Sequence, residues 1–293
     1  MKNVTDLSML EISQYLSNSL KSKQEVSIVV KNPDCKASIS LSSWLNLAEL
    51  LYCKLLTPKI IDPNLVELTF KKLNLNNSFH TNEVTNTKEK YGTESLFFNI
   101  NKLEHPSFLI AYKRALESVQ VELRENILNL GINKGDEFEL IKKITPTEQF
   151  NKLNLYGIDY SNSAIEYAKK SLNSPNIKLF THDINAIDEL NLPKMDLIIS
   201  IGTLQSPNIN YKPFLMKLTQ EYLKPKSALI LGFPNGRWID GELIYGAKVK
   251  NYSHSELSLL FNDVIFAKKY LQQKKFKVTI TGKEYIFITA IRR

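Results

Sequence analysis

The sequence predicts an α/β protein: a doubly wound, mostly parallel seven-stranded sheet with an antiparallel C-terminal hairpin, preceded by a small α+β N-terminal module. Three observations carry that expectation. From Asn126 onward, short apolar runs alternate with helical patterns, as in a parallel sheet covered by helices on both faces. At the end, Lys275–Thr281 and Glu284–Ile291 flank Gly282-Lys283 and read as two strands joined by a tight turn. All ten glycines lie at or beyond Gly92, which sets the first part of the chain apart. The expected division is residues 1–90 for an accessory module and 91–293 for the main domain.

In the N-terminal part, Asp6 to Leu20 carries Leu7, Leu10, Ile12, Tyr15, Leu16 and Leu20 on one helical face, with Asp6 as expected N-cap. Glu25–Val30 and Ala37–Leu41 alternate around Asn32-Pro33-Asp34 and predict a hairpin. Ser42 or Ser43 then caps a helix with Trp44, Leu47, Leu51 and Leu55 on its apolar face, and Leu65–Leu73 reads as a strand. Asn74–Gly92 is polar and turn-rich, a linker or loop. Pro106–Val121 predicts an amphipathic helix. Strands are then expected at Asn126–Leu130, Asn154–Ile158, Ile177–Phe180, Met195–Ile201 and Ala228–Phe233. Helices are expected at Asp136–Ile144, Ser163–Leu172, Ile187–Leu190, Lys212–Leu223 and Ser253–Gln273.

Composition bounds the function classes. Of 293 residues 43% are hydrophobic and 23% charged, as in a globular protein with a full core. No apolar run is long enough to span a bilayer, and Met1–Asp6 lacks an apolar leader, so the cytoplasm is the expected compartment. Two cysteines, Cys35 and Cys53, and four scattered histidines give neither a disulfide framework nor a metal knuckle. The net charge of +8 accompanies abundant Lys and Asn, for which an AT-rich genome is the plain alternative to function, but Lys268, Lys269, Lys274, Lys275, Lys277 and Lys283 crowd one stretch. That stretch admits RNA or an acidic partner on an otherwise non-catalytic scaffold, an alternative to enzymatic function.

The chemistry gathers at strand ends. Leu130-Gly131-Ile132-Asn133-Lys134-Gly135 joins a strand to a helix whose first turn holds Asp136 and Glu137. Backbone N–H groups at such a turn face a ligand, and glycine or asparagine tolerates the left-handed conformations required. Taken alone, the turn is equally an ordinary connection. Asp159, followed by Tyr160, ends the second strand, where it either accepts bonds from a nucleotide ribose or caps the next helix. Asp183 and Ile184 end the third, placed for an adenine amino group and ring. Ser200, Gly202 and Gln205 come from the end of the fourth.

In this order and spacing, the stretch from Asn126 to Arg293 resembles the class I S-adenosylmethionine-dependent methyltransferases. Leu128–Gly135 corresponds to the family's glycine-rich first motif, Asp159 to its ribose-binding acid and Asp183 to its adenine-contacting acid. The terminal hairpin corresponds to the family's reversed last strand. The chain departs from the pattern at Asn129, where an acid is usual, and at Asn133, where a glycine is usual. The resemblance implies S-adenosylmethionine as cofactor, held by Gly131, Asn133, Gly135, Asp159, Tyr160, Asp183, Ile184 and Ser200, and methyl transfer to an acceptor the sequence does not name. It does not name an oligomeric state either.

The acceptor is expected over the same edge, near Gln205 and the glycine-punctuated loop Phe233–Gly246 with Asn235, Arg237, Trp238 and Tyr245. The alternative is a solvated connection with Trp238 in a core. Asp240, Glu242, His182 and His254 are the candidate bases. Tyr91-Gly92 and Phe97-Phe98 are expected to fold over the cofactor as a lid.

Overall fold

A computed structural model describes residues 1–77, 87–246 and 258–292, with backbone alone for Thr87, Ser258 and Leu259. His254, the expected helix start at Ser253 and residues 78–86 of the polar 74–92 stretch lie outside the described residues. The chain forms two compact units, Met1–Thr81 with Trp238–Tyr245, and Asn82–Arg237 with Gly246–Arg293.

The first unit runs β1 (Lys2–Asn3), α1 (Met9–Ser19), β2 (Glu25–Lys31), α2 (Leu41–Leu50), β3 (Cys53–Leu55), β4 (Lys59–Asp62) and β5 (Leu65–Lys72). Its sheet has the order β1-β2-β5-β3, with β4 also on β5. Alternation along β5 buries Val66, Leu68 and Phe70 against Ile12 and Leu16 of α1 and Trp44 of α2. Three local expectations fail here. The α1 N-cap is Ser8, not Asp6, because Ser8 and Glu11 form a reciprocal capping box. Ala37–Leu41 is not a strand: β2 pairs along its length with β5, Ala37 takes φ 64°, and Ser40, rather than Ser42 or Ser43, caps α2.

The second unit opens with α3 (Pro106–Ser118) and continues with β6 (Asn126–Leu130), α4 (Asp136–Ile144), α5 (Thr147–Phe150), β7 (Asn154–Asp159), α6 (Asn162–Leu172), β8 (Ile177–Thr181) and β9 (Met195–Ile201). Then come α7 (Tyr211–Lys217), extended by one wide turn to Tyr222, and β10 (Leu223–Pro234). The chain next forms the two-stranded β11 (Gly236–Ile239) and β12 (Glu242–Tyr245), of which Trp238–Tyr245 belongs to the first unit, and the second unit resumes with α8 (Ser258–Gln273), β13 (Phe276–Gly282) and β14 (Tyr285–Arg292).

The main sheet has the order β13-β14-β10-β9-β6-β7-β8. Every neighbouring pair is parallel except those of β14, which runs antiparallel to β10 and β13. From β6 the chain proceeds outward to β7 and β8, then returns to β9 on the other side. The switch point therefore lies at the carboxyl ends of β6 and β9, the place where open α/β sheets bind ligands. Alternate residues feed two cores. Leu128, Leu130, Ile198, Leu229 and Leu231 meet α7 and α8, while Ile127, Leu197, Ile199 and Ile230 meet α3, α4 and α6.

Candidate functional site

The turn after β6 is built by its backbone. Gly131, at φ 75°, and Ile132 both donate to the carbonyl of Ile158, at 2.8 and 3.1 Å, which pins the turn to the end of β7. A Cβ on Gly131 would collide with the Thr203 hydroxyl, so only glycine permits this approach of the segment after β9. Asn133 takes the left-handed conformation at φ 47°, and Gly135, at φ 97°, caps α4. The Asn133 N–H donates to Asp159 Oδ2 at 2.8 Å, and its Nδ2 donates to the Tyr91 carbonyl at 2.6 Å.

Asp159 is almost fully buried. Its Oδ1 accepts from the Ser161 N–H at 3.0 Å, so the carboxylate ties the β6 turn to the N-terminus of α6. Burial pushes this carboxyl above the usual range, against the pull of the backbone N–H bonds from Ser161, Asn133 and Tyr160. Burial likewise raises the Tyr91 phenol, helped by the negative charge of Asp159. Tyr160 is partly exposed, with the Lys88 ammonium 5.4 Å from its ring centre.

The stretch from Lys88 to Ile100 is strapped onto this edge. Glu89 accepts from the Asn162 N–H at 2.9 Å and the Ser161 hydroxyl at 2.8 Å, and also from the Ser163 hydroxyl. Burial alone would raise the Glu89 carboxyl, but the hydroxyls of Ser163 and Ser161 and two backbone N–H groups hold it low. The Thr93 N–H donates to Ser163 Oγ at 3.0 Å, and Lys134 Nζ donates to the carbonyls of Phe98 and Ile100 at 3.1 and 2.7 Å. Sequence reading placed Tyr91 and Phe98 here but missed Glu89, Lys134 and Thr203. A carboxylate far upstream of a helix gives no local sign that it will cap that helix.

The other strand ends join in part. Asp183 caps the turn after β8, accepting from the Asn185 N–H at 2.9 Å, and Ile184 is buried in the core. His182 Nε2 lies 2.9 Å from the Ala186 carbonyl and 3.5 Å from Glu189. Ser200 is buried, its hydroxyl donating to the Leu130 carbonyl at 3.4 Å, and Gln205 carries a buried Oε1 with no partner. On the reverse side of β6, Asn129 is buried with neither side-chain polar atom paired. Nearby in sequence, Glu137 and Lys102 form a buried ion pair at 2.8 Å, and Asp136 has its carboxyl pushed up to about 6 by burial.

The loop after β10 differs from expectation. Asn235 is a buried brace: its N–H and Nδ2 donate to the carbonyls of Glu284 and Lys283 at 2.7 and 2.9 Å. Arg237 closes that segment of the second unit, whereas Trp238, Asp240, Glu242 and Tyr245 belong to the first. Ile239 and Ile244 pack with Leu73, and the Tyr245 N–H donates to Glu49. Asp240 accepts from Asn77 Nδ2 at 2.7 Å and the Asn74 N–H at 3.2 Å, which hold its carboxyl low. Glu242 is ion-paired with Lys54 at 2.6 Å. The two carboxylates expected as bases are thus engaged within the first unit, because alternating apolar residues make this hairpin a piece of that unit's core.

Among the described residues no group of histidines, cysteines and carboxylates is arranged to hold a metal, and no helix is long and apolar enough to cross a membrane. A family model described as a methyltransferase domain matches residues 124–281. No curated protein matches the chain. A SAM-dependent methyltransferase from Aquifex aeolicus superposes with a TM-score of 0.43 at 19% identity, covering 66% of this chain and 96% of that one. The N-methyltransferase NodS from Bradyrhizobium japonicum, solved with S-adenosyl-L-homocysteine, gives 0.43 at 15% identity, covering 65% and 90%. TehB from Haemophilus influenzae gives 0.43 at 11%, covering 78% and 70%. The family match spans more than half of the chain, from just before β6 into β13; the chain belongs to the methyltransferase-domain family.

Proposed function

We propose that the second unit binds S-adenosylmethionine at the carboxyl edge of β6, β7 and β8 and transfers its methyl group to an acceptor. The observation that carries this reading is the Asn133–Asp159 bond, which locks the glycine turn to an acid at the end of β7. Asp159 accepts backbone N–H bonds from Asn133, Ser161 and Tyr160, and a carboxylate has about four lone-pair sites, so capacity for one ribose hydroxyl remains. Gly131, Asn133 and Gly135 form the cradle, with Asp159 and Tyr160 at the ribose, Asp183 and Ile184 at the adenine, and Ser200 below the turn. The unpaired, buried Gln205 Oε1 on the segment after β9 suits a polar group entering that edge.

Bound S-adenosylmethionine supplies a methyl group already activated on sulfonium sulfur. The protein's share is chiefly to hold the acceptor in line and to exclude water. With Asp240 and Glu242 engaged in the first unit, His182 is the base we retain for an acceptor that must lose a proton.

Calorimetry with S-adenosylhomocysteine tests the assignment. Asp159→Asn keeps the shape but replaces a charged acceptor, and charge-assisted bonds are worth roughly 1.5–3 kcal/mol, so Kd is expected to rise at least about tenfold. Wild-type protein that binds no S-adenosylhomocysteine, or a variant with unchanged Kd, overturns the proposal.

A further inference from the structure

One end of the main sheet carries cations that nothing in the fold neutralises. β13 and β10 both run antiparallel to β14, so they point the same way. Lys275 and Lys277, at the start of β13, therefore stand at the end of the sheet opposite the carboxyl edge of β6 and β9. Lys275 takes φ 66°, and its N–H donates to the Gln272 carbonyl at 3.0 Å, which turns α8 back into β13. With Gln272, Phe276 and Val278, these two lysines line an open pocket of about 460 Å3. The outer side of β13 has no strand partner among the described residues, so backbone N–H groups face outward there. One turn back along α8 come Lys268 and Lys269. At about 100° per residue, Phe261, Ile265, Lys268, Lys269 and Gln272 share one helix face, and all five are exposed. None of Lys268, Lys269, Lys275 and Lys277 forms an ion pair among the described residues. The one carboxylate of α8, Asp263, is half-buried near Lys212 of α7, on the other side of the helix.

We infer that this surface binds a single-stranded nucleic acid, its phosphates on Lys268, Lys269, Lys275 and Lys277 and a base on the ring of Phe261. The shape of the charge argues for a polyanion. The face from Phe261 to Gln272 is roughly 16 Å long and continues into the lysine-lined pocket, so the cations form a track that a phosphodiester backbone can follow. Phe261 is 46% exposed and offers a flat π-face at the other end of that track. A duplex keeps its bases stacked inside and could not use the ring, whereas a single strand can. A bilayer fits less well, because the apolar side of α8, with Leu260, Val264, Ala267 and Leu271, is already engaged in the core. The surface takes no residue from the glycine turn or Asp159, so it stands whether or not the second unit binds S-adenosylmethionine.

The test titrates the full chain into a fluorescently labelled oligouridine of about twelve nucleotides and follows anisotropy. Oligothymidine, polyglutamate and phosphatidylserine vesicles form separate arms. Saturable oligonucleotide binding is expected, with log K falling against log salt at a slope of about −3, from about −0.7 for each phosphate met by a lysine. Tighter binding of oligouridine than of oligothymidine identifies RNA as the partner, and the reverse identifies DNA. Lys275→Gln combined with Lys277→Gln should raise Kd at least about tenfold and roughly halve the slope. Lys21→Gln combined with Lys23→Gln, at exposed positions of the first unit, should change neither. Phe261→Ala should raise Kd at least about fivefold with the slope unchanged, since a stacked base releases no counterion. An unchanged Tm shows that each variant keeps its fold, and calorimetry with S-adenosylhomocysteine on the same proteins reads the cofactor assignment separately. The proposal is overturned by the absence of saturable binding, by equal affinity for polyglutamate or vesicles, by equal losses in the two double-lysine variants, or by unchanged binding in Phe261→Ala.

Discussion

Asn133 carries two jobs that a glycine could only halve: it accepts the left-handed conformation, and its Nδ2 fastens Tyr91. Asp159 could be read from the sequence as a ribose acid or as a helix cap; the structure makes Ser161 the cap of α6, its hydroxyl accepting from the Ala164 N–H, while Asp159 accepts from the Ser161 and Asn133 N–H groups. Asp136 was legible only as a favourable charge in the first turn of α4. Its burial adds a consequence, because its carboxyl is pushed up to about 6 by burial, opposed by Lys102 and reinforced by Glu137. A carboxyl raised in the folded state favours the protonated fold, so stability falls as pH rises from its ordinary value through the folded one. Denaturant unfolding is therefore expected to lose on the order of 2–3 kcal/mol between about pH 4 and 6 through this group. Asp136→Asn should flatten that slope, and an identical slope in the variant would sink the assignment.

At the scale of elements, the strands of the second unit were legible because burial on both faces makes them continuous apolar runs, as in β9, buried from Met195 to Ile201. The N-terminal hairpin was misread for a complementary reason. Ala37–Leu41 alternates like a strand, but β2 finds its partner in β5, whose apolar alternation is longer. The strap over the edge depends on a long-range cap, Glu89 on the N-terminus of α6. Its carboxyl is held low, so its contribution is present above the unfolded value and lost as pH falls through the folded one. Glu89→Gln at neutral pH is expected to raise amide exchange of Tyr91–Ile100 by about tenfold, leaving β6 and β7 protected. Unchanged exchange in that segment would show that Lys134 and Asn133 suffice to hold it.

Over the whole molecule, Trp238–Tyr245, with the carboxylates of Asp240 and Glu242, belongs to the first unit. Asp240 binds Asn74 and Asn77, so Asp240→Ala is expected to destabilise the first unit by roughly 1–2 kcal/mol, read as a lower Tm. S-adenosylhomocysteine binding should stay within about twofold, since replacements without shared partners act independently. A loss of cofactor affinity comparable to that of Asp159→Asn would return Asp240 to the site.

The sequence by itself determined the sheet class, the glycine turn, the acid at the end of β7 and the reversed last strand. These are written in local periodicity and in conformations that few residues adopt. Only the tertiary structure decided that Glu89 caps α6, that Thr203 meets Gly131, that Trp44 keeps a buried, unpaired donor, and that Asp240 and Glu242 belong to the first unit. Each of those facts joins residues distant in sequence, where no period or spacing records which partner burial will choose.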